Sequence, residues 1–182
     1  MTPPRIILLT GARFSGKSTL CQRLAHAQPP GLTVSGLLTR HTGPHSLEVH
    51  ELRSGLTYPL TLPFEGEGGI ALTHFRMDTD AMARSARALE AAFPTDLFLL
   101  DEIGPLELER GGGWIAALRL LQTNAYRLAV VVVRPELLVT ALAQLGHAVY
   151  TVAHVTPEQR EPLFATIQEL IQCPLSLPKG AP

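Results

Sequence analysis

The chain has few cysteines, almost no net charge and no long apolar run. Its 182 residues include only two cysteines, Cys21 and Cys173, which lie far apart and match no metal-ligand spacing. We therefore expect no disulfide framework, and a reducing cytoplasm is the simpler location. The formal net charge of −1 lacks the positive excess that attracts nucleic acids and acidic membrane surfaces. We accordingly predict no nucleic-acid partner.

Membrane spans and secretory signals are not indicated either. No stretch approaches the roughly 18 consecutive apolar residues of a membrane span. Residues 1–5 lack the charged region of a signal peptide, and the apolar run that follows them is short. The length favours a single domain over residues 1–182, with a proline-rich tail at 174–182 that we expect to be frayed.

The first strongly patterned segment is a short strand followed by a glycine loop and a helix. Residues 5–10 are typical of a buried strand, residues 11–18 (GARFSGKS) fit G-x-x-x-x-G-K-[ST], and residues 19–27 are helical in pattern. In this context the motif indicates a P-loop (Walker A), whose backbone N–H groups surround phosphate. Lys17 would contact the β- and γ-phosphates, and the Ser18 hydroxyl would ligate Mg²⁺. These residues predict binding of a nucleoside triphosphate.

A second apolar strand ends in two acids. Residues 97–102 read LFLLDE, which is the pattern of a buried strand that delivers a carboxylate at its carboxyl end, where parallel sheets bind ligands. Asp101 would hold Mg²⁺ opposite Ser18, and Glu102 would orient or deprotonate a water at the γ-phosphate. The alternative for such an acid pair is a helix N-cap with no chemistry.

The remaining segments alternate between strand and helix patterns. Residues 128–133 (LAVVVV) form a continuous β-branched run, which is typical of a central parallel strand. Residues 33–62 instead read as three consecutive strands joined by turns, and Pro59 predicts that the last of them, 56–62, lies at a sheet edge. The pattern predicts an α/β fold with a mostly parallel central sheet and an antiparallel, strand-rich insertion at about 33–62.

With the P-loop, the segment at 101–108 (DEIGPLEL) resembles the THEP-type nucleoside-triphosphatases, the family of the human cancer-related nucleoside-triphosphatase. Members carry a D-E-[IL]-G-x-[ML]-E-L segment as their second nucleotide motif (Walker B). Segments at 35–40, 69–79 and 155–160 are also similar to family segments in order and spacing. The resemblance implies a P-loop NTPase three-layer sandwich and a slow, Mg²⁺-dependent hydrolase of ATP, GTP and other triphosphates.

The resemblance also implies which residues contact the nucleotide. Lys17 and Glu102 would be catalytic, and Ser18 and Asp101 would bind the metal. The implied nucleotide contacts are Gly11, Ala12, Arg13, Phe14, Ser15, Gly16, Lys17, Ser18, Thr19, Leu97, Phe98, Leu99, Leu100, Asp101, Glu102, Ile103 and Gly104. Five arginines are candidates for a cation that stabilises the transition state, namely Arg13, Arg40, Arg110, Arg134 and Arg160. Pro105 stands where the family usually has lysine, so a phosphate contact from that position is not expected.

Two other functions fit the same motifs. The chain could be a P-loop kinase that transfers phosphate to a small nucleotide or cofactor precursor bound under the insertion, although it has no arginine-rich lid. It could also be a nucleotide-gated assembly protein with an unidentified protein partner, in which hydrolysis acts as a timer. Hydrolysis of nucleoside 5′-triphosphates to diphosphate and phosphate is the leading hypothesis.

Overall fold

The structure is a computed structural model that describes residues 5–172 apart from positions 124, 147 and 149. The predicted tail at 174–182 lies outside these residues. The strands are β1 (Ile6–Thr10), β2 (Val34–Gly43), β3 (Ser46–Glu51), β4 (Thr57–Pro59), β5 (Thr61–Leu62), β6 (Ile70–Ala71), β7 (Arg76–Met77), β8 (Thr95–Ile103), β9 (Tyr126–Val133) and β10 (Tyr150–His154). The helices are α1 (Lys17–His26), α2 (Thr79–Glu90), α3 (Pro105–Leu108), α4 (Ala116–Gln122), α5 (Leu138–Leu145) and α6 (Arg160–Gln172).

A seven-stranded sheet runs through the centre of the molecule. Its strand order is β10-β1-β9-β8-β2-β3-β4. The four neighbouring pairs from β10 to β2 are parallel, whereas β3 pairs antiparallel with both β2 and β4. The β-branched strand β9 therefore lies between the P-loop strand β1 and the acid strand β8. The predicted fold class, a mostly parallel sheet with helices, is confirmed.

Helices cover both faces of the sheet, which produces three layers. Successive side chains of a strand point to opposite faces, so Ile6 and Leu8 pack with α2, α4 and α5, while Ile7 and Leu9 pack with α1 and α6. Helix α2 begins directly after Asp78, because the Asp78 carboxylate accepts hydrogen bonds from the N–H groups of Asp80 and Ala81 and thereby caps the helix. None of the described helices is long and apolar enough to cross a lipid bilayer.

The insertion at 33–62 differs from its prediction in extent and pairing. Strand β2 belongs to the parallel part of the sheet, since it pairs with β8. Residues 56–62, predicted as one edge strand, divide between β4 at the sheet edge and β5 in a separate sheet of order β5-β7-β6. The division occurs at the buried Leu60, whose N–H donates to Leu47 and whose carbonyl accepts from Asp78. Leu56, the residue before β4, is 47% exposed.

Candidate functional site

The loop between β1 and α1 adopts a conformation that depends on its glycines. Gly11 has φ of 145°, and a Cβ there would lie 2.5 Å from the Val155 carbonyl oxygen. Gly16, with φ of 100°, is the N-cap of α1. Residues other than glycine rarely adopt such φ values, so the loop conformation requires both glycines. The loop therefore leads directly into the amino end of a ten-residue helix.

Lys17 is the first residue of α1, and its side chain folds back across the loop. Its Nζ donates to the carbonyl oxygens of Gly11 at 2.9 Å and Ala12 at 2.8 Å. The side chain is buried, with 9% exposed. A buried ammonium at a helix amino end is a strong attractor for an anion, because the helix dipole and the charge act in the same direction.

Arg13 and Phe14 form the outer part of the loop. Phe14 has a left-handed φ of 63°, and its side chain is 91% exposed. The Arg13 guanidinium carbon lies 5.4 Å from the centroid of the Phe14 ring, which is within cation–π range. Both residues line the cavity described below.

Asp101 lies near the end of β8, deep in the sheet. Its Oδ2 is buried and has no hydrogen-bond partner among the described residues. Burial raises the pKa of this carboxyl to about 7, and a hydrogen bond from the Ser18 hydroxyl acts in the opposite direction. Ser18 and Asp101, the two predicted metal ligands, are therefore in contact, although they are far apart in the sequence.

Glu102 follows Asp101 and forms an ion pair with Arg134. Arg134 Nε donates to Glu102 Oε1 at 2.6 Å. Arg134 directly follows β9, the strand that separates β1 from β8, so it lies at the same sheet edge as the P-loop. Arg134 and Glu102 are both half-buried and both line the cavity.

The five candidate arginines occupy different places. Arg40 pairs with Glu48, and Arg110 donates to the Ala71 carbonyl oxygen, both outside the cavity lining. The Arg160 side chain lies over the P-loop, since a Cβ on Gly16 would lie 2.5 Å from its Cδ. Of the five, only Arg134 has a hydrogen bond to the acid pair in the described part of the chain.

Glu107 is a site residue that sequence reasoning did not single out. Its buried carboxylate accepts hydrogen bonds from the N–H groups of Gly104 at 3.0 Å and Trp114 at 3.1 Å. Burial raises its pKa, and these two bonds oppose the rise. The side chain thus holds α3 and the segment before α4 against the end of β8. A glutamate three residues after the N-cap Gly104 is the sequence signal that could have identified it.

A cavity of about 600 Å³ joins the P-loop to the acid pair. Of the predicted nucleotide contacts, Gly11, Arg13, Phe14, Gly16, Lys17, Ser18, Thr19, Asp101, Glu102 and Gly104 line it. The β8 residues Leu97–Leu100 and Ile103 do not, because they are fully buried in the two hydrophobic cores. Ala12 and Ser15 also lie outside the lining, although the Ala12 carbonyl binds Lys17.

A family model described as NTPase matches residues 6–168, which is most of the chain. The chain belongs to this NTPase family. Its relatives include the nucleoside-triphosphatase THEP1 of Methanopyrus kandleri, 31% identical over 112 residues that are 58% of this chain and 61% of that protein. THEP1 of Methanosarcina acetivorans is 33% identical over 109 residues, or 56% of this chain and 61% of that protein. The matches thus span about 61% of the length of these relatives.

The crystal structure of THEP1 from the hyperthermophile Aquifex aeolicus has the same fold as this member of the NTPase family. The two structures superpose with a TM-score of 0.65 over 92% of this chain and 99% of that one, at 18% identity. The resemblance to THEP-type P-loop NTPases, based on the P-loop and the DEIG segment, is thereby confirmed.

Proposed function

We propose that the chain hydrolyses nucleoside 5′-triphosphates, including ATP and GTP, to the diphosphate and inorganic phosphate. One observation carries the proposal: the carboxylates Asp101 and Glu102 line the same cavity as Lys17 and Ser18. Membership of the NTPase family supports it, as do relatives named nucleoside-triphosphatase.

In this proposal the P-loop binds the phosphates. The N–H groups at the start of α1 and the Lys17 ammonium face the β- and γ-phosphates, and Lys17 exchanges its bonds to loop carbonyls for phosphate oxygens. The cavity-lining residues of 11–19 and 101–104 make the nucleotide contacts. The exposed Phe14 ring and the Arg13 guanidinium lie at the outer side of the bound phosphates.

The residues near Asp101 fit a magnesium ion. Mg²⁺ prefers carboxylate and hydroxyl oxygens, and here a buried carboxylate oxygen without a partner in the described chain lies beside the Ser18 hydroxyl. Ser18 and Asp101 would hold the ion together with phosphate oxygens and water. When bound, Mg²⁺ supplies positive charge that offsets the charge of the phosphates.

Glu102 is the proposed general base. It accepts a proton from a water whose oxygen attacks the γ-phosphorus, while the bond from that phosphorus to the β–γ bridging oxygen breaks and the diphosphate leaves. Arg134 holds the Glu102 carboxylate through the 2.6 Å bond from Nε and adds a positive charge on the same side of the cavity. Arg134 is therefore a positioning residue for the base.

Glu102→Gln tests the base directly. The change keeps the size of the side chain but removes its ability to accept a proton, so kcat for ATP should fall by roughly 10²- to 10⁴-fold, while the Kd for Mg²⁺-ATP stays within about threefold. The matched control is Glu109→Gln, which alters an exposed acid outside the cavity lining. Turnover in Glu102→Gln equal to that of the control would show that Glu102 is not the base.

Some predictions from the sequence stay predictions. The cytoplasmic location rests on the low cysteine content, to which the structure adds that Cys21 is a buried free thiol. A nucleoside triphosphate is the ligand that membership of the family implies. The absence of a nucleic-acid partner and the presence of an unidentified protein partner stay predictions from the sequence.

A further inference from the structure

The cavity follows the carboxyl edge of the sheet beyond the part that phosphates need. In strand order, its lining includes Lys17 after β1, Arg134 after β9, Glu102 at the end of β8, Thr39 on β2 and Leu47 on β3. Strands β2 and β3 lie on the far side of β8 from the P-loop. The cavity therefore has a second compartment, which starts at Glu102 and extends under the insertion.

This compartment, here called the apolar lobe, has walls from several elements of one hydrophobic core. Its main lining residues are Leu60, Phe75, Met77, Met82, Leu106 and Trp114. Small-molecule sites typically have volumes of roughly 300–1,000 Å³ and apolar, aromatic walls with a few polar groups. The whole cavity, with the P-loop part included, has a volume of about 600 Å³, and the lobe has the apolar, aromatic walls of such sites.

If the proposed function holds, the nucleoside part of the triphosphate does not occupy the lobe. If Glu102 activates water at the γ-phosphate, the triphosphate has its γ end at Glu102 and its nucleoside leads away from β8. The attacking and leaving oxygens are roughly in line, so the lobe lies on the side from which the nucleophile approaches. Water alone does not require a compartment lined by so many apolar side chains.

The charges in the lobe restrict what can bind there. Beyond Arg134, which is paired with Glu102, the described residues that line the lobe include no lysine or arginine. The polar groups at its rim are Thr39, His41 and His74, and the same cavity is also lined by the acids Glu107 and Glu136. The His41 ring lies 5.6 Å from the Phe75 ring, centroid to centroid. An anion such as a nucleoside monophosphate would lose its hydration without gaining a cation, which is costly.

We propose that the apolar lobe is a second ligand site, for a neutral small molecule with an aromatic body. Aromatic rings pack well against the rings of Phe75 and Trp114 and against the thioethers of Met77 and Met82. The polar end of the ligand then faces Thr39 and Glu102, next to the γ-phosphate. This inference rests on the proposed function for the orientation of the nucleotide, but the binding itself is measured independently.

The neutral probe 4-bromobenzyl alcohol tests the site through Trp114, the single tryptophan of the sequence. Bromine quenches indole fluorescence on contact, and Trp114 is only 3% exposed, so the probe must enter the lobe to reach it. We expect quenching that saturates with one site per chain. Phe75→Asp, which puts a charge in the wall, should raise the half-saturating concentration at least tenfold.

The control is Val139→Asp, which makes the same change at a 79% exposed apolar residue outside the cavity and should shift half-saturation less than twofold. Leu72→Asp, also in the lobe lining, is the second variant if Phe75→Asp fails to fold by circular dichroism. Quenching that rises linearly without saturation overturns the proposal, as does equal half-saturation in the lobe and control variants.

Lys17→Ala should lose ATP turnover but retain probe saturation, so a failure of the hydrolytic proposal is distinguishable from a failure of this one.

Discussion

At the scale of single residues, Asp101 is buried, although its proposed role as a metal ligand requires the negative charge that burial disfavours. Burial favours the protonated carboxyl and raises its pKa to about 7. An unfolded aspartate has a pKa near 3.9. Between these two values the folded state holds a proton that the unfolded state has lost, so the free energy of unfolding of the metal-free chain decreases as the pH rises from about 4 to about 7. The ionised Asp101 therefore destabilises the metal-free fold at neutral and alkaline pH.

Asp101→Asn should remove this cost. In EDTA at pH 8 we expect the variant to be more stable than the wild type by up to roughly 4 kcal/mol, with the difference vanishing near pH 4. Urea denaturation from pH 4 to pH 8 measures it, and Glu67→Gln, at an exposed loop residue, is the control. Parallel pH profiles for wild type and Asp101→Asn would contradict the assignment.

Arg134 is a second residue whose role follows from one contact. Arg134→Ala leaves Glu102 without the donor at 2.6 Å, and a misplaced base lowers the rate by up to about 100-fold. We expect kcat to fall while KM for ATP stays within threefold, and Arg134→Lys to restore part of kcat. Arg40→Ala, which removes a guanidinium paired with Glu48 outside the cavity, should change neither constant. A rise in KM without a fall in kcat would indicate that Arg134 binds substrate instead.

At the scale of elements, the close approach of β2 to β8 sets the position of the acid pair. A Cβ on Gly36 of β2 would lie 1.8 Å from the Leu99 carbonyl oxygen, and Gly36 has φ of 116°. Leu99 is two residues before Asp101 in the same strand. Any displacement of β2 would therefore move the strand that delivers Asp101 and Glu102 to the cavity.

Gly36→Ala should destabilise the fold by about 3 kcal/mol or more, because a clash with backbone is added to an unfavourable φ. Gly55→Ala separates the two effects, since Gly55 has φ of 73° but open space around it, and should cost only about 1–2 kcal/mol. Chemical denaturation of both variants measures the difference. Equal losses of stability would mean that the contact between β2 and β8 relaxes.

At the scale of the whole molecule, one sheet edge brings together residues from both hydrophobic layers. The P-loop leads into α1 on one face, while Met82 and Trp114 belong to the core on the other. A ligand that binds this edge contacts loops from many elements and stabilises the folded state only. The free energy gained is RT ln(1 + [L]/Kd), or about 2.7 kcal/mol at a ligand concentration of 100 Kd.

Mg²⁺-ATP should therefore raise the melting temperature of Glu102→Gln, which binds but does not hydrolyse. A domain of this size gains roughly 2–4 °C per kcal/mol, so we expect a rise of about 5–10 °C at 100 Kd. Differential scanning fluorimetry measures the shift, with ATP in EDTA as the control. Lys17→Ala should show little shift, and an equal shift with ATP in EDTA would argue against a metal at Ser18 and Asp101.

The sequence by itself determined the parts of this protein that local pattern encodes. The strand, glycine loop and helix at 5–27 and the apolar run that ends in Asp101 and Glu102 are contiguous segments whose periodicity and composition specify their conformation. The continuous β-branched run of β9 likewise predicted a buried parallel strand. The fold class and the family follow from these segments, and both are confirmed.

Only the tertiary structure decided which distant residues meet. Arginines look alike in a sequence, and β9 and β2, the strands next to Arg134 and carrying Arg40, both flank β8. Only the contacts of the folded chain show that Arg134 binds Glu102 whereas Arg40 pairs with Glu48. The division of residues 56–62 between two sheets depends on hydrogen bonds from Leu60 to Leu47 and from Asp78 to Leu60. The apolar lobe combines side chains from segments spread over 39–114. The physical reason is that these contacts depend on strand order and packing between segments far apart in the chain, which no local periodicity encodes.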